Sequence, residues 1–238
     1  MISILLLGLL LGMKHAFEAD HVAALATLAT RSQSLTQTVK LGAAWGLGHT
    51  LTLLLFGGLV LALNLVMPED LARGLEFAVG IMLLLLGLDV LRRVTREPVH
   101  FHIHRHAESI VHLHAHSHAG DTAPHNPEHH EHSHPRALRV RALLVGMVHG
   151  MAGSAALILL TLETVVSPGV GLLYIALFGL GSILGMALLS VVIAIPLRYS
   201  ESGLTLAHNT LKTLVGLATA ALGGAMIYEI GAVQGFLL

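Results

Sequence analysis

Lys14, His15, Glu18, Asp20 and His21 fall within eight residues of the stretch "GMKHAFEADHVAAL", inside an apolar run long enough to cross a lipid bilayer. Imidazole and carboxylate are the donor types that hold a borderline divalent ion such as nickel, cobalt or zinc. The chain has no cysteine, which excludes disulfides and thiolate metal sites. On insertion scales an Asp, Lys or Arg at a helix centre costs about 2.5–3.5 kcal/mol, so Lys14, Glu18 and Asp20 facing lipid would cost on the order of 8 kcal/mol. Pairing, a wet cavity or a bound ion must offset that. Lys14 and Glu18, four residues apart, suit an internal salt bridge with nothing to bind. His15, Asp20 and His21 are harder to dismiss, because His49 in "GLGHT" and His149 in "GMVHGMAGS" recur at comparable depth.

His21, His49 and His149 each lie roughly eight residues from the basic end of their apolar run, or about 12 Å in at helical rise, and His15 lies deeper. Three helices thus offer imidazoles to a common layer. On a regular helix, positions i, i+5 and i+6 point about 140° and 240° apart, so His15, Asp20 and His21 do not reach one ion from an ideal helix. Either the chain unwinds near the ion, or Asp20 orients an imidazole and is at most a weak ligand. The expected metal residues are therefore His15, Asp20, His21, His49 and His149. Glu18, Lys14 and Ser154 are candidates to support the site or line the ion's path.

These residues need elements to position them. The chain has 238 residues, 54% hydrophobic and 11% charged, with a mean hydropathy of +0.77, which points to a multi-span helical membrane protein. A span takes roughly 20 apolar residues. Six runs qualify, near 2–29, 41–66, 74–91, 142–165, 170–197 and 209–232, the first and fifth long enough to imply tilt or a break. The expected fold class is all-α, a polytopic membrane protein of six helices. The first run has no basic segment before it and leads into charges rather than a cleavage site, unlike a secretory signal. Net charge is −1, with no nucleic-acid signature. With six crossings, Arg31, Lys40, Arg92, Arg93, Arg96, Arg136, Arg139, Arg141 and Arg198 share one side and Arg73 takes the other. The positive-inside rule makes the basic side cytoplasmic and puts both termini outside. Glu69, Asp70, Glu76, Glu163 and Glu229 then collect at the outer ends, either drawing cations in or simply remaining there once basic residues are kept inside.

Residues 92–141 break the hydrophobic pattern and carry thirteen of the 18 histidines, among them His102, His104, His106, His112, His114, His116, His118, His132 and His134. Such a tract lacks the apolar content for a core and is expected to be disordered when empty. It reads as a low-specificity cytoplasmic sponge for divalent transition metals between two halves, 1–91 and 142–238. The halves look related. "GMKHAFEADHVAAL" matches "GMVHGMAGSAAL" once two residues are left out of the second, "WGLGHTL" matches "FGLGSIL", and Gly80 and Gly87 match Gly216 and Gly223. Three spans per repeat turn the second copy upside down, a recurring plan of secondary transporters with a site near mid-membrane. The second copy has no partners for Asp20 and His21, Ser154 and Ala155 standing nearest, so one asymmetric site is expected. Gly179, Gly181 and Gly185 suit close helix packing, and Pro196 a kink.

His15, four residues, then Asp20-His21 in "HAFEADH" resembles the signature of the nickel/cobalt transporter family, and "LGHT" resembles that family's following-helix motif. The six-span layout with "HGMAGS" opening the second half is similar to the shorter branch, described as urease-accessory-type membrane proteins. The resemblance covers all six spans, though its motifs occupy three. It implies high-affinity uptake of Ni²⁺ or Co²⁺ across a prokaryotic cytoplasmic membrane, with the motif residues His15, Asp20 and His21 essential, followed by His49 and His149. The longer branch has eight spans, and the histidine loop is not a fixed family feature. No prosthetic group is implied, and the ion and the bilayer are the expected partners; a cytoplasmic metallochaperone is not legible in the sequence. No phosphate-binding "GxxxxGK[ST]" occurs, so the chain is not an ATPase. A zinc-type transporter with a histidine-rich loop shares the layout but should pair carboxylates and histidines on its fourth and fifth spans, and this fifth has neither. A diiron membrane enzyme needs more intramembrane histidines, and Ser154 lacks the nucleophile turn of a hydrolase. A non-transporting metal sensor or store is the remaining alternative.

Overall fold

The computed structural model describes residues 2–32, 34–63, 68–96, 100–105, 111–116, 135–164, 168–201 and 205–236, with the backbone alone of 2–4, 100–105, 111–116, 135–136, 153–164, 168, 201 and 205. Helices run α1 Ile2–His15, α2 Ala19–Ala29, α3 Leu35–Leu63, α4 Glu69–Arg96, α5 Pro135–Thr164, α6 Pro168–Glu201 and α7 Thr205–Tyr228, the last continuing into a π-helical turn, Glu229–Val233. Four described stretches are long and apolar enough to cross a membrane: Leu35–Leu63, Glu69–Arg96, Gly169–Ser200 and Leu206–Val233. Large apolar side chains stay exposed along them, Leu55 at 67% and Leu85 at 61%. A soluble monomer rarely shows so much exposed apolar surface, and lipid is its natural cover. The protein is a multi-pass helical membrane protein.

The first long run is broken in two. α1 ends at His15, Phe17 and Glu18 turn back with three-residue hydrogen bonds to Lys14 and His15, and α2 starts at Ala19. Glu18 stands at the N-cap of α2 in extended conformation, yet its side chain makes no cap bond. The other long run, α6, is one helix of 34 residues with Pro196 inside it. At about 1.5 Å per residue that is near 50 Å, longer than a hydrocarbon core of about 30 Å.

α3 packs between α5 and α6, α4 lies on α7, and α1 lies on α6. Small residues permit these approaches. A Cβ on Gly48 would strike the backbone of Leu143, and one on Gly146 the backbone of Trp45. On the other side, Gly181 meets Leu9 and Gly12 meets Phe178. Between α4 and α7, a Cβ on Gly87 would come 2.6 Å from the carbonyl of Gly216, and one on Gly223 2.6 Å from that of Gly80. Gly179 and Gly185 also sit at close contacts, against Thr50 and against Ala16 and Met13.

Within 92–141, residues 92–96 belong to α4 and 135–141 to α5, and two short stretches between them form strands. β1 His100–Arg105 and β2 Val111–His116 pair antiparallel, with His100, His102 and His104 opposite His116, His114 and His112 in the backbone register. Alternating polar and apolar residues favour a strand, and the sequence there alternates. The all-helical expectation therefore holds for the packed body and gives way to a hairpin in the loop.

Candidate metal centre

The break between α1 and α2 sets the geometry. It frees His15 and His21 from the helical rotation that would aim them apart, and their rings meet with centroids 4.4 Å apart. α3 contributes His49, with its ring 5.3 Å from each of them. α5 contributes His149, 4.1 Å from His21. Close packing of α3 on α5 brings the last two helices together: a Cβ on Gly150 would come 2.6 Å from the carbonyl of His49. His21, His49 and His149 are 1%, 0% and 2% exposed, so none is solvated. The five expected metal residues converge in one place.

Their roles differ. A carboxylate only accepts hydrogen bonds, so an imidazole nitrogen beside it carries the proton. His15 Nδ1 lies 3.0 Å from Glu18 Oε1, and His21 Nδ1 lies 2.9 Å from Asp20 Oδ1. Each Nε2 is then a lone pair, buried and without a hydrogen-bond partner. His49 has neither nitrogen partnered. Buried nitrogens left in that condition would cost about 1–3 kcal/mol each, a cost a cation would reduce. Donor atoms of His15, His21 and His49 lie within 4.8 Å of one another. An ion with bonds of about 2.1 Å holds its ligands at most about 4.2 Å apart, so small ring rotations close the set. A carboxylate behind the imidazole is the usual way to fix ring and tautomer at a metal. The end of α1, where backbone carbonyls collect negative charge, adds to the attraction for a cation.

Asp20 does more than orient His21. Its Oδ1 also accepts the His21 backbone N–H at 2.9 Å, and Oδ2 lies 2.8 Å from His149 Nε2. Asp20, His21 and His149 form a second group with donor atoms within 4.8 Å. Lys14 is exposed, and Glu18 pairs with His15 rather than with it, because α1 stops before the Lys14–Glu18 spacing can act as a helical pair. The side chain of Ser154 lies outside the described residues, as do those of His102, His104, His106, His112, His114, His116, His118, His132 and His134.

The sequence reading missed three features. The Trp45 ring packs 5.4 Å from that of His21 and 5.7 Å from that of His149. Phe178 lies 5.3 Å from His15. The two aromatics stand at matching places in "WGLGHTL" and "FGLGSIL", a signal that was present but not read as site wall. The third is Asp89, which gathers Arg31, Arg93 (3.4 Å) and Arg141 (3.7 Å) from three segments at the basic end. At the other end Arg73 pairs with Glu69 at 3.1 Å.

Compared with known proteins, the chain is 34% identical over 235 residues to a protein named urease accessory protein UreH, from Bacillus sp. (strain TB-90). The match covers 99% of this chain and 95% of that relative, and it bears out the resemblance carried by "HAFEADH". No protein-family model matches the chain, and no solved structure does.

Proposed function

The chain belongs to the family of urease accessory protein UreH, and from that premise we propose that it is a secondary transporter, not an enzyme, that imports Ni²⁺ or Co²⁺ across the prokaryotic cytoplasmic membrane. The observation that carries this reading is the convergence of buried, unpartnered nitrogens of His15, His21 and His49 from separate bilayer-depth segments. Glu18 and Asp20 hold the first two imidazoles in the ligating tautomer. An ion leaving water needs such replacements for its hydration shell, and imidazole suits nickel and cobalt equally.

Six crossings and an inverted repeat fit the contacts. Gly12 meets Phe178 where its counterpart Gly146 meets Trp45, Gly181 meets Leu9 where Gly48 meets Leu143, and across α4 and α7 Gly87 meets Gly216 where Gly223 meets Gly80. An approximate two-fold axis in the membrane plane relates such pairs. The basic ends of the helices and the histidine loop are cytoplasmic on this reading, and both termini are outside. The loop buffers the delivered ion and is dispensable for translocation. The driving force needs no nucleotide: a dication moving inward through 100 mV gains about 4.6 kcal/mol, close to a thousandfold accumulation at about 1.4 kcal/mol per tenfold.

The test is metal accumulation in cells expressing the intact protein or His15→Ala, with nickel, cobalt and zinc supplied together at equal concentration. Nickel or cobalt uptake that depends on His15 is expected. Equal accumulation by both proteins rules out transport through this centre, and dominant zinc uptake moves the protein to the zinc-type alternative.

A further inference from the structure

We propose that the centre holds its ion at two successive stations that share His21. This rests on the reading of the protein as an ion carrier. The first station is His15, His21 and His49; the second is Asp20, His21 and His149, and in each group the donor atoms lie within 4.8 Å of one another. His21 has an unpartnered Nε2 to offer the first, and its Nδ1 lies 2.9 Å from Asp20 of the second. The two nitrogens lie on different edges of the ring, so one ion cannot take both, and occupancy of the stations alternates.

Protons keep the second station closed while the first is filled. With the ion on His21 Nε2, the proton sits on Nδ1 and donates to Asp20 Oδ1, and His149 Nε2–H donates to Oδ2 at 2.8 Å. When the ion steps across, the His21 proton moves to Nε2, which the ion has just left. The His149 proton moves to Nδ1, a buried nitrogen with no partner. The bonds from ion to His15, His21 Nε2 and His49 break, those to Asp20, His21 Nδ1 and His149 form, and no proton is gained or lost. Asp20 also brings its negative charge into the ion's shell at this point, offsetting the loss of an imidazole.

The order follows from the helices. His15 closes α1, while Asp20 and His21 open α2, which runs on to Arg31 at the basic end. The second station therefore lies on the basic side of the first, and an imported ion meets His15 and His49 first.

The test uses the full chain with the thirteen loop histidines changed to asparagine, so that bound nickel reports the membrane centre. His149→Ala and His149→Gln (the glutamine amide retains a donor for Asp20) should bind nickel within about threefold of the parent while uptake into proteoliposomes falls about thirtyfold or more, the loss expected when a needed ligand is removed. Nickel X-ray absorption should report three imidazoles in the parent, but two imidazoles and a carboxylate in His49→Ala. Loss of nickel binding in both His149 variants makes the centre a single station, and full uptake in either takes His149 off the path; each overturns the proposal. The absorption spectra need no transport, so a parent that binds nickel but does not move it refutes the carrier reading while the His49→Ala shell still decides the stations.

Discussion

At the scale of single residues, the centre divides its carboxylates from its imidazoles. Glu18 is 57% exposed at its side chain, yet its contact with His15 sets the tautomer of a ring whose Nε2 is buried. Glu18→Gln should therefore weaken nickel binding by about ten- to a hundredfold, the usual cost of losing an orienting partner, without unfolding the protein. Equilibrium dialysis would measure it, and unchanged affinity would show that His15 needs no such partner. That His15, Asp20, His21, His49 and His149 come together was legible in the sequence, because charge in an apolar run is costly enough to demand an explanation. Their division of labour was not, because it depends on which nitrogen faces which oxygen. Asp20 illustrates the difference: helix geometry alone said that it and both histidines do not share one ion from a regular helix, and the structure answers with a break and a carboxylate on the rear of two rings.

At the scale of elements, the break at residues 16–18 and the glycine contacts do the positioning. The length of the first run and the spacing of His15, Asp20 and His21 signalled an interruption. Its location did not follow from propensity, since Ala16, Phe17 and Glu18 include no Gly or Pro. The fully buried Ala16 and the Glu18–His15 contact hold it instead. The glycine periodicities of the third and sixth runs were readable as a repeat; that they pack on each other required the fold. Gly87→Leu places a branched side chain where a Cβ would already come 2.5 Å from the backbone nitrogen of Ala220. It should destabilise the α4–α7 pair by about 1–3 kcal/mol or more, seen as a lowered melting temperature in detergent. Gly224 meets nothing within 4 Å, and Gly224→Ala should leave melting unchanged. Equal effects of the two would mean that the α4–α7 approach is not as close as described. The hairpin of 100–105 and 111–116 follows the period-two alternation of the same residues, a signal that their polar composition masks.

At the scale of the whole molecule, a membrane body built from helices carries a buried cluster of imidazoles among the described residues. Deleting residues 100–134 should leave the initial rate of nickel uptake within about twofold of the parent while removing most loosely held metal; an inserted protein with uptake abolished would show the loop to be part of the path. Uptake into proteoliposomes should rise with an inside-negative potential, because each elementary charge gains about 2.3 kcal/mol per 100 mV. A rate indifferent to potential would require another driving force. The central claim is that imidazoles from separate segments jointly hold one dication. It is met most directly by titrating nickel into the purified full chain with its loop histidines changed to asparagine. The account predicts one tightly held ion per chain, lost in His21→Ala, which removes the imidazole common to both groups of donors, and unchanged binding in that variant would contradict it.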